Sequence, residues 1–249
     1  MPLYLIVNIL VLLPPLLLSF DKKVHFASRW RAHFPVNLTV MAGFILWDVA
    51  FTDMGIWGFN PVYLIGYSLF GLPLEEWLFF ITIPYACSFT YVTLQAYIRR
   101  NLLADMAGAI TFICWLICIG LVVHHPGHLY IQWAAGLSAL ALTWALIYIP
   151  AWLGRFWMAY FVLLLPFVIS NGVLTGISFW EYPFLHHHAE AISDQIVWYD
   201  PNHNTGWRIF SMPADDLVYG FLLIFLNIAG MEALQVRQSY QRKVAAIGR

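Results

Sequence analysis

Apolar runs recur along this chain at the length that crosses a lipid bilayer. A spanning helix needs about 20 mostly apolar residues. Seven stretches qualify: 2–20, 34–52, 74–98, 106–123, 129–150, 155–174 and 214–236. In hydrocarbon every backbone N–H and C=O must be satisfied inside the segment, so such runs fold as helices. The pattern therefore predicts an all-α integral membrane protein with seven transmembrane helices. The first run has no basic lead and no small-residue cleavage site, and it continues directly into "DKK". It reads as a retained span, with a kink expected at Pro14 and Pro15. Between the runs the chain is short of linker sequence, and the longest segment outside them is 175–213.

Charge gives this assignment a direction. The chain has 12 Lys and Arg. If seven runs cross, Lys22, Lys23, Arg29, Arg31, Arg99, Arg100, Arg155, Arg237, Arg242, Lys243 and Arg249 all fall on one side, and only Arg208 on the other. Cytoplasmic loops carry the basic excess, so the N-terminus is expected outside and the C-terminus in the cytoplasm. Segments 53–73, 124–128 and 175–213 then face outward.

Two of those outward segments resemble each other. "FNPVYLIGYSLFGLPLEEWLFF" aligns without a gap on "YDPNHNTGWRIFSMPADDLVYG", at a constant offset of 140 (59 to 199, 76 to 216). Asn60 meets Asp200, Pro61 meets Pro201, Gly66 meets Gly206, and Pro73 meets Pro213. The acids Glu75 and Glu76 meet Asp215 and Asp216. The expected organisation is two parallel three-helix repeats joined by a connecting helix: 1–105, a connector at 106–128, and 129–249. An odd connector between three-helix units restores orientation, so both acidic pairs begin a helix on the same side. Upstream the alignment fades, leaving Asp48 and Asn171 as weaker counterparts.

The acidic pairs stand out because only 10% of residues are charged while 61% are hydrophobic. Pro73 and Pro213 fit the first turn of a helix, which would make the acids caps for free N–H groups. One acid would suffice for that, yet both copies carry two, at the edge of the hydrocarbon where charge is costly. A carboxyl in apolar surroundings, beside another carboxyl, is the arrangement that holds a proton near neutral pH and delivers it. Neighbours on a helix point about 100° apart, so the two members of a pair cannot share one direction. Aromatic residues reach 18%, more than interfacial belts need, and they suit a cavity lined by π faces. Cys87, Cys114 and Cys118 read as buried thiols without zinc-ligand spacing. The net charge of −1 leaves no basic surface for nucleic acid.

On "PLEE" at 73–76, "PADD" at 213–216, "FNPVYLIG" at 59–66 and "WD" at 47–48, the chain resembles the membrane-integral lycopene β-cyclase family in its fused two-repeat form. Asp215 stands where glutamate is more usual and is a methylene shorter. The resemblance implies a non-redox, acid-catalysed cyclisation of the linear ψ-ends of lycopene to β-rings, within carotenoid biosynthesis. It implies Glu75, Glu76, Asp215 and Asp216 as acid and base. Trp47, Asp48, Trp57, Phe59, Asn60, Asn171, Trp198 and Tyr199 are the expected substrate-binding residues. The substrate would be a lipid-soluble carotenoid taken from the membrane, with other carotenoid-biosynthesis enzymes as protein partners. No Gly-rich dinucleotide fingerprint is present, and no cofactor or metal is expected.

Three other classes fit parts of the chain. His186, His187 and His188, the "HHPGH" turn at 124–128, and Glu181, Glu190 and Asp194 would suit a His-rich membrane metalloenzyme acting on carotenoids. These histidines lie in outer segments, and Pro126 and Gly127 interrupt one cluster. A prenyltransferase would need an Asp-rich helical motif and cations for a diphosphate, whereas "PADD" is short and only Arg208 is near. A heptahelical transporter or receptor would use the same acids as a coupling site.

Overall fold

The computed structural model describes residues 1–187 and 192–247. His188, Glu190 and Arg249, together with the side chains of Arg242 and Lys243, lie outside the described residues. The apolar runs fold as helices: α1 (Leu3–Leu18), α2 (Trp30–Asp53), α3 (Leu74–Tyr97), α4 (Ala107–His124), α5 (Leu129–Tyr148), α6 (Leu153–Thr175) and α7 (Asp215–Ile247). Six are long and apolar enough to cross a membrane. The exception is α1, whose 16 residues span only about 24 Å at 1.5 Å per residue. Pro14 and Pro15 sit inside α1, which runs through them as one helix.

Helix packing has a two-fold pattern. α1 lies on α3 as α5 lies on α7; α2 touches both α3 and α7, while α6 touches both α7 and α3. The central pair α3 and α7 also touch each other, and α4 packs chiefly on α5.

The segments between α2 and α3 and between α6 and α7 are more ordered than an all-α reading allows. The first holds β1 (Trp57–Phe59), β2 (Ser68–Leu69) and β3 (Leu72–Pro73). The second holds β4 (His186–His187), β5 (Val197–Tyr199), β6 (Trp207–Ile209) and β7 (Met212–Pro213). β1 and β5 pair antiparallel, with Gly58 opposite Trp198, Trp57 opposite Tyr199 and Phe59 opposite Val197. Since Trp57 aligns with Val197 and Phe59 with Tyr199, exchanging the two strands reproduces the register. The flanking bonds exchange too: Asn60 N–H donates to the Ile196 carbonyl and Asp200 N–H to the Ile56 carbonyl, both at 2.8 Å. Such reciprocity is what a two-fold relation between matching segments requires. Gly58 is needed there, because a β-carbon would run into the Trp198 indole.

Repeated residues explain repeated turns. Asn60 and Asp200 accept from the N–H of Val62 at 3.1 Å and of Asn202 at 2.9 Å. Each thereby caps a 3-10 turn that starts on the following proline. Gly66 and Gly206 both take positive φ, +87° and +76°, which glycine adopts without strain. Tight turns then join β2 to β3 and β6 to β7. Pro73 and Pro213 end β3 and β7 and do not open the helices. Their fixed φ suits the extended strand as well as a first helical turn, and the hairpin register selects the strand.

Candidate active site

The hairpins deliver each acidic pair to the mouth of a central helix, where the two members part. Glu75 turns back and accepts the Ile65 N–H at 2.6 Å. Asp215 does the same, accepting the Thr205 N–H at 3.0 Å and the Thr205 hydroxyl at 2.7 Å. Ile65 and Thr205 align at the same offset of 140 (65 to 205). These two acids fasten the hairpins to the helices and line no part of the central cavity. Glu76 and Asp216, one step further around the helix, face into it.

That cavity lies among α1, α2, α3, α5, α6 and α7 beneath the β1–β5 ribbon. Its polar lining is Tyr4, Asp48, Glu76, Tyr130, Asn171, Tyr199, Asp216 and Tyr219. Trp57, Phe59, Phe79 and Phe167 add aromatic faces, and Ile83, Leu174, Val197, Leu223 and Ile224 are aliphatic. The free space is about 50 Å³, so the rings and carboxyls are close-packed. Asp48 and Asp216 are each 3% exposed and Glu76 is 7%.

Two matching constellations meet there. In the first half, the Tyr4 hydroxyl donates to Glu76 Oε2, and the buried Asp48 carboxyl lines the same cavity as that of Glu76. In the second, the Tyr130 hydroxyl donates to Asp216 Oδ1 at 2.6 Å, and Asn171 Nδ2 donates to Asp216 Oδ2 at 2.5 Å. Tyr4 and Tyr130 are each the second residue of their helix, α1 and α5. Asp48 and Asn171 occupy α2 and α6 in the same relation to their acid. The Tyr199 hydroxyl adds a third donor to Asp216, at 3.1 Å; its counterpart Phe59 has none to give. Burial, then the nearby Asp216 carboxyl, pushes the Tyr199 phenol well above its ordinary range, so it stays a donor.

Among the residues expected at the site, Glu76, Asp216, Asp48, Asn171, Trp57, Phe59 and Tyr199 come together in the cavity. Asn60 is instead a turn cap. Trp198 lies over Gly58 at 39% exposure, outside the lining. Trp47 stands in the wall behind, 5.0 Å from the Tyr219 ring centroid. Tyr4, Tyr130, Tyr219 and Phe79 were absent from the expectation. The signal for two of them was present as "LYLI" and "LYIQ" at the starts of α1 and α5, at an offset of 126 (4 to 130) where the ungapped repeat uses 140. Phe79 and Tyr219 lie on that offset of 140 (79 to 219), just past the acidic pairs.

An apolar groove of about 730 Å³ runs along the outer side of the same wall. It is formed by Thr39 to Phe51 of α2 and Met54 just past its end, by Leu129, Trp133, Leu137, Leu140 and Ala141 of α5, and by Leu222 and Leu226 of α7. Trp47 and Phe51 belong to the groove, and they pack on Tyr219 and Trp57 of the cavity. Trp47 Nε1 and the Tyr219 hydroxyl are buried and have no hydrogen-bond partner among the described residues.

His128 Nδ1 lies 2.6 Å from the Asn204 carbonyl and His186 Nε2 lies 2.7 Å from that of Phe210. Among the described residues no group of three or more His, Cys, Asp or Glu is arranged to hold a metal ion. Arg208, set apart from the other basic residues in the charge pattern, is only 7% exposed, and it donates to the Ser211 carbonyl inside the second hairpin. Burial lowers its guanidinium from the ordinary range.

Comparison with known proteins places the whole arrangement. No curated protein and no solved structure matches the chain. The family model described as lycopene cyclase matches residues 1–94 and 127–234, leaving out only α4, its flanks and the end of α7. The match takes in both hairpins, both acidic pairs and every polar residue of the cavity. The chain belongs to the lycopene cyclase family.

Proposed function

We propose that this protein is a carotenoid cyclase that closes linear ψ-ends of lycopene into β-rings without redox change. The observation that carries this reading is the buried cavity in which Glu76, Asp48 and Asp216 stand among aromatic rings. The reaction needs a proton delivered to a terminal alkene, protection of a tertiary cation from water, and a base. Each aromatic face attracts a cation by about 0.5–2 kcal/mol, and Trp57, Phe59, Tyr130, Tyr199 and Tyr219 converge on the same space. Glu75 and Asp215 hold the hairpins, and through them the roof of the cavity, in place. The groove along α2, α5 and α7 takes the polyene chain from the bilayer, and the ψ-end enters past Trp47 and Tyr219. That movement supplies the room that the closed cavity lacks.

The same reading makes the repeats functional halves, 1–105 and 129–249, with 106–128 as connector. It also makes α1 the seventh crossing. From Tyr4 beside Glu76 to Lys23, whose ammonium lies 3.4 Å from the Tyr97 ring centroid, the chain follows α3 from residue 76 to residue 97. That is roughly 30 Å of helix, about a bilayer core. The N-terminus is then outside and the basic C-terminal end cytoplasmic.

Expression in a bacterium that accumulates lycopene tests the activity. γ- or β-carotene is expected, and Glu76→Gln is expected to lower it about 100-fold or more with protein still in the membrane. Unchanged lycopene with the native sequence would remove the proposal. Gly43→Leu tests the groove: Gly43 lines it, and a β-carbon there meets nothing within 4 Å, so the added side chain starts into open space. KM for lycopene is expected to rise about tenfold, and an unchanged KM would place the polyene elsewhere.

A further inference from the structure

The two halves put a carboxyl at the same point and surround it differently. Beside Glu76 in the cavity lining stands Asp48, a second buried carboxyl. Two ionised carboxylates buried side by side repel, so the pair is favoured when it holds one shared proton. Asp48 Oδ2 has no partner among the described residues although it is buried and lines the cavity. Beside Asp216 the same place holds Asn171, which gives a hydrogen where Asp48 would ask for one. With Tyr130 and Tyr199, Asp216 receives three donors on its two oxygens. Donors of that kind favour the ionised carboxylate.

Resting on the cyclase reading, we infer that the Asp48–Glu76 pair is the proton donor and Asp216 the base, a division set by the Asp48/Asn171 difference between the halves. The shared hydrogen leaves the pair as a proton and bonds to C2 of the terminal alkene through the C1=C2 π electrons, leaving the cation at C1. The C5=C6 π electrons form the C1–C6 bond, moving the cation to C5. Asp216 takes the C6 proton, and that C–H electron pair becomes the C5=C6 double bond of the β-ring. The proton returns from Asp216 to the pair across the cavity, where the hydroxyls of Tyr4, Tyr130, Tyr199 and Tyr219 are available as relays. Nothing is oxidised or reduced, and the protein ends as it began.

An acid and a base fail differently, which gives the test. In lycopene-accumulating cells, Asp48→Asn and Glu76→Gln are expected to lower total cyclised product about 100-fold or more, with the remainder still β-ringed. Asp48→Glu is expected to recover part of the loss. Asp216→Asn still forms the cation but releases a proton from another carbon, so ε-rings or exocyclic alkenes should appear. Tyr199→Phe, which copies Phe59, should shift the isomer ratio the same way by a smaller amount and guards against a folding defect in Asp216→Asn. Near-native turnover by Asp48→Asn, or an unchanged isomer ratio in both second-half variants, would overturn the division. Failure of the native protein to make any ring would instead remove the cyclase reading beneath it.

Discussion

The hairpin over Glu75–Glu76 and the hairpin over Asp215–Asp216 have one backbone plan and different side-chain bonding. Both carry an Asx-capped 3-10 turn, a positive-φ glycine, a two-residue β-turn and an acid folded back on the chain. Asp215 uses both oxygens, because Thr205 offers an N–H and a hydroxyl. Glu75 uses one, because Ile65 offers only an N–H, and its Oε2 is left buried without a partner among the described residues. Below them, Asp216 is ringed by donors while Glu76 faces another carboxyl. Shared backbone geometry keeps the acids in register, and single side-chain differences are enough to give them different hydrogen-bond partners.

The largest expected effect on this comparison is loss of the second anchor. Asp215→Ala leaves two donors of Thr205 unmet and should cost about 2–4 kcal/mol, since each buried unsatisfied group costs about 1–3. Glu75→Ala removes one bond and one orphaned oxygen together and should cost about 1 kcal/mol. Denaturant titration in detergent would measure both, and equal losses would break the distinction. Next is the seam between the halves. Gly58→Ala forces a methyl into the Trp198 indole and should cost about 1–3 kcal/mol, recovered in large part when combined with Trp198→Ala. If the second substitution gives no relief, the seam is not set by that contact. Smallest is a gain: Ile65→Thr supplies the hydroxyl that Glu75 lacks and should add about 0.5–1.5 kcal/mol, with Thr205→Ile losing a similar amount. A rise in midpoint of a few degrees would be read by thermal unfolding; a fall would show that the Ile65 side chain contributes more by packing.

Helix positions were legible from the sequence because bilayer thickness and backbone satisfaction leave little choice. The expected run 74–98 became Leu74–Tyr97, and 129–150 became Leu129–Tyr148. α2 starts earlier than its apolar run, at Trp30, since Arg31 and His33 are compatible with a helix that extends past the hydrocarbon. The short strands were not legible: two- and three-residue elements carry no usable period, and only the pairing of segments 140 residues apart creates them. The cap role of Asn60 was hidden for a related reason, because a cap and a ligand contact look the same in one dimension.

The sequence by itself determined that this is a multi-pass helical protein with a repeated acidic hairpin, because hydropathy and an ungapped repeat are properties of the chain alone. Only the tertiary structure decided which acid of each pair reaches the cavity, and that Tyr4, Asp48, Tyr130 and Asn171 meet them there. Those contacts join residues 72, 28, 86 and 45 positions apart (4 to 76, 48 to 76, 130 to 216, 171 to 216). Helix rotation and crossing, which no local pattern encodes, bring them together in the cavity.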